Sequence, residues 1–341
     1  MSYGILYDVI KDGDNEKYNF LHRCNTNNGS SGSPVLNEKN KVIGIHKEAY
    51  VYYNFKGDTF INYPIKEFIE KNYDYTKNVD KNKNNKTKLA EFNKKYRKKG
   101  INIKNTEMII IDLTDKGIRN EGLNDLCQIE FPKLTTLLLC GIKISNIQYL
   151  VNAEFNKLEI IRLNQNKIKD ISSLEHVNFP ELEELNLGSN QISDITPLSR
   201  VNFPKLKKLY LDYNEISNIS MMDQFKFEQL KELKFAKNNI ENIKIFEKVN
   251  FNELYYLNLG RNKIKDINVF SNVSFKGLKS LYLDNNEISD INELVNFEKL
   301  DKLYLNGNKN IDKEKNEKIL KYFENKKIDG KTIDFHPPKI N

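Results

Sequence analysis

From about residue 108 to residue 310, apolar side chains occupy slots that return every 24 residues. One copy runs Leu182, Leu185, Leu187, Ile192, Ile195, Leu198, Val201 and Phe203; another runs Leu254, Leu257, Leu259, Ile264, Ile267, Phe270, Val273 and Phe275. The alternation at Leu185 and Leu187 predicts a short strand with two side chains turned inward. An Asn follows the last strand leucine by three residues. It closes the quartets at 163–166, 187–190, 211–214, 235–238, 259–262 and 283–286, each 24 residues after the last, and a final quartet at 305–308 comes after 22. Eight copies start from Leu134, with a degenerate one before them around Ile111-Asp112-Leu113.

A unit this small cannot bury its own apolar face. Stacked units can, because each seals its neighbour and adds a strand to a shared parallel sheet. The Asn slot needs a group that both donates and accepts, since backbone groups at the sharp turn point inward without ladder partners. Ile142 and Lys116 hold that slot in the first full unit and the degenerate one, where atypical capping units are expected. Phe131, Phe155, Phe179, Phe203, Phe227, Phe251 and Phe275 also recur every 24 residues and predict a structural spine on the convex side. Pro132, Pro180 and Pro204 follow three of them, where the returning chain needs no amide donor. The unit resembles the leucine-rich-repeat consensus LxxLxLxxNxI. The resemblance implies an α/β fold: a right-handed leucine-rich-repeat solenoid with a parallel sheet on its concave face. The rhythm is similar to that of the regulatory leucine-rich-repeat subunit of protein phosphatase 1 and of the bacterial internalins, which act by gripping proteins.

Between the strand leucines, the remaining side chains face out from the sheet. The series there is Leu138, Arg162, Asn186, Tyr210, Lys234, Asn258, Tyr282 and Tyr304, joined by Tyr256 and, just beyond the strands, Tyr213 and Arg261. Tyr and Arg dominate protein interfaces, Tyr for area at low entropic cost and Arg for its forked donors. Arg162, Asn186, Tyr210, Tyr213, Lys234, Tyr256, Asn258, Arg261, Tyr282 and Tyr304 are therefore the candidate contacts for a protein partner. An ordinary solvated sheet face is the alternative reading, because Tyr suits strands.

The ends differ in composition. Residues 77–99 carry ten Lys or Arg against Asp80 and Glu91, within a formal net charge of +7. This Asn-rich run reads as solvated, with 76–86 as a linker, and a polyanion-binding strip over 77–99 is the alternative. Residues 87–99 predict a basic amphipathic helix through Leu89, Phe92 and Tyr96 that caps the repeats. Residues 312–325 predict a second covering helix, and Ile333 and Phe335 a closing segment. The expected division is 1–75, 76–107, 108–310 and 311–341. Cys24, Cys127 and Cys140 form no CxxC pair and predict free thiols. No cofactor or metal motif is present. No run approaches the roughly 18 apolar residues of a membrane helix, and the first residues lack a signal-peptide pattern. A cytoplasmic monomer with a protein partner, and without a membrane or nucleic-acid partner, is the expectation.

Residues 1–75 follow a different pattern. Strands and turns are predicted, with an apolar run at Val42–Ile45 and a helix over 65–73. The segment Gly29-Ser30-Ser31-Gly32-Ser33-Pro34-Val35, continued to His46, resembles the nucleophile region of trypsin-like serine proteases, and most of all the glutamyl endopeptidases. The resemblance implies Ser31 as nucleophile, the amides of Gly29 and Ser31 as oxyanion hole, and His46 in the specificity pocket. The family's catalytic His and Asp lie well upstream of the serine. Here His22 is the only histidine before Ser31 and lacks the family motif. A hydroxyl without a base is a weak nucleophile. The expectation is a partial second barrel without catalytic activity, and the alternative is a glutamyl-endopeptidase-like serine endopeptidase whose first half is supplied by the full gene or by another chain.

Overall fold

The computed structural model describes residues 4–11, 18–24, 34–36, 42–45, 75–297, 299–312, 314–325 and 333–334. The chain divides into two compact units, 1–83 and 84–341. In the first, β1 (Gly4–Lys11) pairs antiparallel with β2 (Tyr18–Cys24), and β3 (Pro34–Leu36) with β4 (Val42–Ile45). Gly29, Ser31, His46 and the helix expected over 65–73 lie outside the described residues.

The second unit is built on one ten-stranded, all-parallel sheet. Its strands are β5 (Ile110–Asp112), β6 (Thr136–Leu138), β7 (Ile160–Arg162), β8 (Glu184–Asn186), β9 (Lys208–Tyr210), β10 (Glu232–Lys234), β11 (Tyr256–Asn258), β12 (Ser280–Tyr282), β13 (Lys302–Tyr304) and β14 (Ile333–Asp334). The strands lie in chain order from β5 to β14, and equivalent residues pair directly, as in Leu209 with Leu233 and Leu233 with Leu257. From β6 to β13 each coil leaves its strand through a sharp turn and returns through a short 3-10 segment such as Thr196–Ser199. The central residue of every repeat strand, Leu or Ile, is buried, and so is every phenylalanine of the spine. Phe131, Phe155 and Phe179 follow one another at ring separations of 6.2 and 6.4 Å. The spine therefore runs through the core.

The asparagines do what the turn requires. Asn190 donates to the carbonyl of Leu187 in its own coil (2.9 Å) and of Leu163 in the preceding coil (3.0 Å), and its Oδ1 accepts the amide of Ile168 at 3.0 Å. Asn166, Asn214, Asn238, Asn262, Asn286 and Asn308 repeat the arrangement. Ile142 breaks the series for a local reason. The coil before it enters helix α2 (Arg119–Cys127) at the matching point, and Asn120 already accepts the amides of Ser145 and Asn146.

The N-terminal end is covered by helix α1 (Tyr75–Tyr96), which places Leu89, Phe92 and Tyr96 in the core. Residues 76–86, expected as a linker, are helical. Asn85 anchors them by donating to the carbonyl of Glu130 and accepting its amide, both at 2.9 Å. At the other end, helix α3 (Glu317–Asn325) begins five residues later than the expected start at Asp312, whose carboxylate instead accepts the amides of Glu314 and Lys315 ahead of it. Ile333 joins the sheet beside Leu303. Among the described residues, no helix is long and apolar enough to cross a membrane.

Candidate partner-binding face

Every repeat strand has three residues, so burying the middle one turns its two neighbours out. Parallel pairing in direct register then sets equivalent outward side chains side by side, about 4.8 Å apart. From β9 to β13 outward side chains drawn from both slots form a continuous row, with Tyr256, in register with Glu232 and Ser280, reaching diagonally to Lys234 and Tyr282. Lys234 Nζ lies 4.1 Å from the ring centre of Tyr210 and 5.2 Å from that of Tyr256. Tyr256 meets Tyr282 at 5.2 Å, and Tyr282 stacks on Tyr304 at 4.4 Å with the rings 10° apart. The cation between two ring faces gains from their quadrupoles, and the stacked rings hold one another's rotamers.

The row is anchored by carboxylates. Glu232 accepts the Tyr210 hydroxyl at 2.6 Å and the Tyr255 hydroxyl at 2.7 Å, with Lys208 at 3.5 Å. Burial alone would raise the Glu232 pKa, but the two hydroxyl bonds and the lysines outweigh it and hold the carboxyl below its ordinary value. The Tyr210 phenol is pushed up, first by burial and then by the bond to Glu232, so it stays a donor. Arg162 donates to Glu184 at 2.6 Å, a bond that keeps its guanidinium charged and pairs a carboxylate that is only 5% exposed.

Of the candidate residues, Tyr210, Lys234, Tyr256, Tyr282 and Tyr304 are thus brought together, and Arg162 stands two coils away with Glu184. Asn186 and Asn258 use their Oδ1 atoms locally, each accepting the amide of the following glycine, Gly188 or Gly260, at 3.0 Å. Tyr213 and Arg261 are not in the row. They occupy the left-handed position of the turn beyond it (φ 56 and 55), and Tyr213 is 46% exposed beneath Lys237, whose Nζ is 4.7 Å from its ring.

Glu184, Lys208 and Glu232 were not among the residues picked from sequence. Their signal was available, for they alternate in sign at one register position on three adjacent strands. Asp212 lies in the turn just beyond β9. It accepts the amide of Ala236 at 2.8 Å, and burial pushes its pKa up to about 6 against that bond and against Lys234. Because the folded chain holds this proton more tightly than the unfolded chain, folding is favoured as pH falls from about 6 to about 4 and penalised above 6. Asp212→Asn, which can keep the acceptor, is expected to stabilise the protein by about 1–2 kcal/mol at pH 7.5. The gain should vanish by pH 4 in urea titrations at the two pH values.

Cys127 is buried, with its thiol pushed up to about 12 by burial, and Cys140 is half-buried. Among the described residues, no group of three or more His, Cys, Asp or Glu is placed to hold a metal ion.

Residues 180–224 match the family model described as leucine-rich repeats (two copies), and residues 252–309 match a second leucine-rich-repeat model. These stretches are leucine-rich repeats. An internalin of Listeria monocytogenes is similar to it at 28% identity, over 55% of this chain and 51% of that one, with a TM-score of 0.46. A leucine-rich-repeat protein of Leptospira interrogans is similar at 20% identity, over 60% and 61% of the two chains, with a TM-score of 0.47. Ahead of the leucine-rich repeats, residues 17–59 match the model of Peptidase S7, the flavivirus NS3 serine protease. A 47-residue stretch is 51% identical to the glutamyl endopeptidase of Staphylococcus aureus (strain MW2), 14% of each chain. The chain thus spans about one-seventh of the length of the curated relatives it matches, and its N-terminal segment is a serine-protease-like fragment.

Proposed function

We propose that this protein is a binding module that takes a polypeptide on the outer, concave face of its parallel sheet. Residues 108–310 form the module, with 76–107 and 311–341 as its covers. Tyr210, Lys234, Tyr256, Tyr282 and Tyr304 are its centre, and Arg162, Asn186, Tyr213, Asn258 and Arg261 its margin. The observation that carries this reading is the unbroken row from Tyr210 to Tyr304, in which each side chain is held by the next. Immobilising a free side chain on binding costs about 0.5–1.5 kcal/mol. Side chains already locked against each other avoid much of that cost, and tyrosines are the residues on which interface energy concentrates. A phage library of linear peptides panned on the full chain tests it. Enriched peptides should lose binding when row residues are replaced and keep it when Val151, exposed outside the sheet, is replaced by Ser.

The 51% identity over 47 residues favours a second reading, a serine endopeptidase of glutamyl endopeptidase type tethered by the repeats. It requires Ser31 to be activated by a base, for which this chain offers only His22 upstream. A fluorophosphonate probe is expected to leave Ser31 of the purified chain unlabelled, and labelling would promote this reading.

A further inference from the structure

From Lys86 onward, the cations of α1 and of the 3-10 turn that continues it, Arg97–Lys99, fall into two sets. One set holds the cap together. Lys88 donates to the carbonyl of Gln128, Lys95 pairs with Glu121 and Asp125, and Lys99 donates to the carbonyl of Gly117. The other set is Lys86, Lys94, Arg97 and Lys98. All four are exposed, and their side chains have no ion pair or hydrogen bond among the described residues.

The second set is ordered by the helix. Positions 86, 90 and 94 are four residues apart on α1 and share one face, and Arg97 and Lys98 follow in the 3-10 turn. The opposite face carries Asn85, Leu89, Phe92 and Tyr96, all buried. The unpaired cations therefore line up along about 18 Å of helix, on a rigid element rather than a mobile linker. Their neighbours on that face are Thr87, Ala90 and Glu91.

Those neighbours narrow the partner. No aromatic side chain is exposed there on which an unpaired base could stack. The apolar side of α1 is used up by the core, so nothing on this face inserts into a lipid layer. Exposed ion pairs with isolated protein carboxylates contribute little net affinity. A linear array of bare cations gains most from a partner whose charge density condenses counterions, because binding releases them. We infer that the exposed stripe Lys86–Lys94–Arg97–Lys98 is a sequence-independent docking surface for the phosphate backbone of double-helical nucleic acid.

The test uses the full chain and a fluorescein-labelled 24-base-pair duplex of arbitrary sequence, titrated by anisotropy at several salt concentrations. If all four cations meet phosphates, they contribute about −3.6 to the slope of log K against log salt. Replacing Lys86, Lys94, Arg97 and Lys98 together by Ala should weaken binding at least tenfold and flatten the slope by about that amount. The far-ultraviolet spectrum and urea midpoint should not move, because every substituted side chain is exposed. A second variant with Lys167, Lys169, Lys226 and Lys248 replaced by Ala carries the same charge change on exposed positions of the repeats and should bind like the parent. Equal loss in both variants would reduce the effect to net charge and overturn the assignment. So would an unchanged slope in the first variant, or stripe-dependent binding to phosphatidylserine vesicles or polyglutamate with none to the duplex.

Discussion

Asn238→Leu is expected to destabilise the repeat domain by about 2–5 kcal/mol, read as a fall in the urea midpoint with little change in slope. Asn238 sits between coils. Its Oδ1 accepts the amide of Ile216 at 3.0 Å, while its Nδ2 donates to the carbonyls of Leu211 at 2.9 Å and Phe235 at 3.0 Å. Loss of the side chain does not fall equally on the three groups. Leu211 keeps the donor of Asn214 and Phe235 keeps that of Asn262, so each carbonyl retains one bond. The amide of Ile216 has no such reserve and would be left buried and unpaired. That orphaned donor accounts for most of the loss, with the lost second bonds and the branched leucine in a close-packed turn adding the rest. Asn238→Asp should also destabilise, since it keeps the acceptor but removes every Nδ2 donation, the long one to the carbonyl of Ala236 included.

Tyr282→Ala is expected to weaken a peptide selected on the sheet face by ten- to a hundredfold, about 1.4–2.7 kcal/mol. Tyr282 is the shared neighbour of the row, 5.2 Å from Tyr256 and stacked on Tyr304. Its removal takes away contact area and also frees the rings on either side, so the partner would have to order them again. Tyr282→Phe should bind nearly as well as the parent if area and order carry the affinity. Isothermal titration of the same peptide against the three proteins separates these cases, and stability should change little because Tyr282 is only half-buried.

The repeat was legible because a coil of fixed length repeats every constraint at the same spacing. The slots of Leu185, Leu187 and Phe203 could be read directly, and the double role of the Asn slot followed from the turn's chemistry. Helix α1 was legible only in its second half. Residues 76–86 are rich in Asn and Lys and poor in apolar side chains, so propensity favoured a linker. The two-point bond of Asn85 with Glu130, a tertiary contact 45 residues away, overrides it. The turn geometry was not legible either. Gln165, Ser189, Tyr213, Lys237 and Arg261 all adopt left-handed backbone angles that their side chains do not favour. They are kept there by bonds to the next coil, such as the amide of Tyr213 to the carbonyl of Ala236 at 2.7 Å. Gly260 shows the reverse case, in which a Cβ would run into the carboxylate of Asp284 on the neighbouring coil.

On the candidate face, the residue types were legible but their grouping was not. One outward slot per strand marked Tyr210, Lys234, Tyr282 and Tyr304. The other slot supplies Glu184, Lys208 and Glu232, which anchor Arg162 and Tyr210, and it also holds Tyr256, which bridges Lys234 to Tyr282. Asn186 and Asn258 looked like free contacts because the bond from each to the amide two residues on depends on the local turn.

Hydroxyl-radical footprinting of the full chain, with and without a saturating sheet-selected peptide, bears most directly on where a partner sits. Tyr256, Tyr282 and Tyr304 should lose oxidation on binding while Tyr149, in the return segment away from the sheet, keeps its level. Protection of Tyr149 with the three row tyrosines unchanged would place the partner elsewhere and contradict the account.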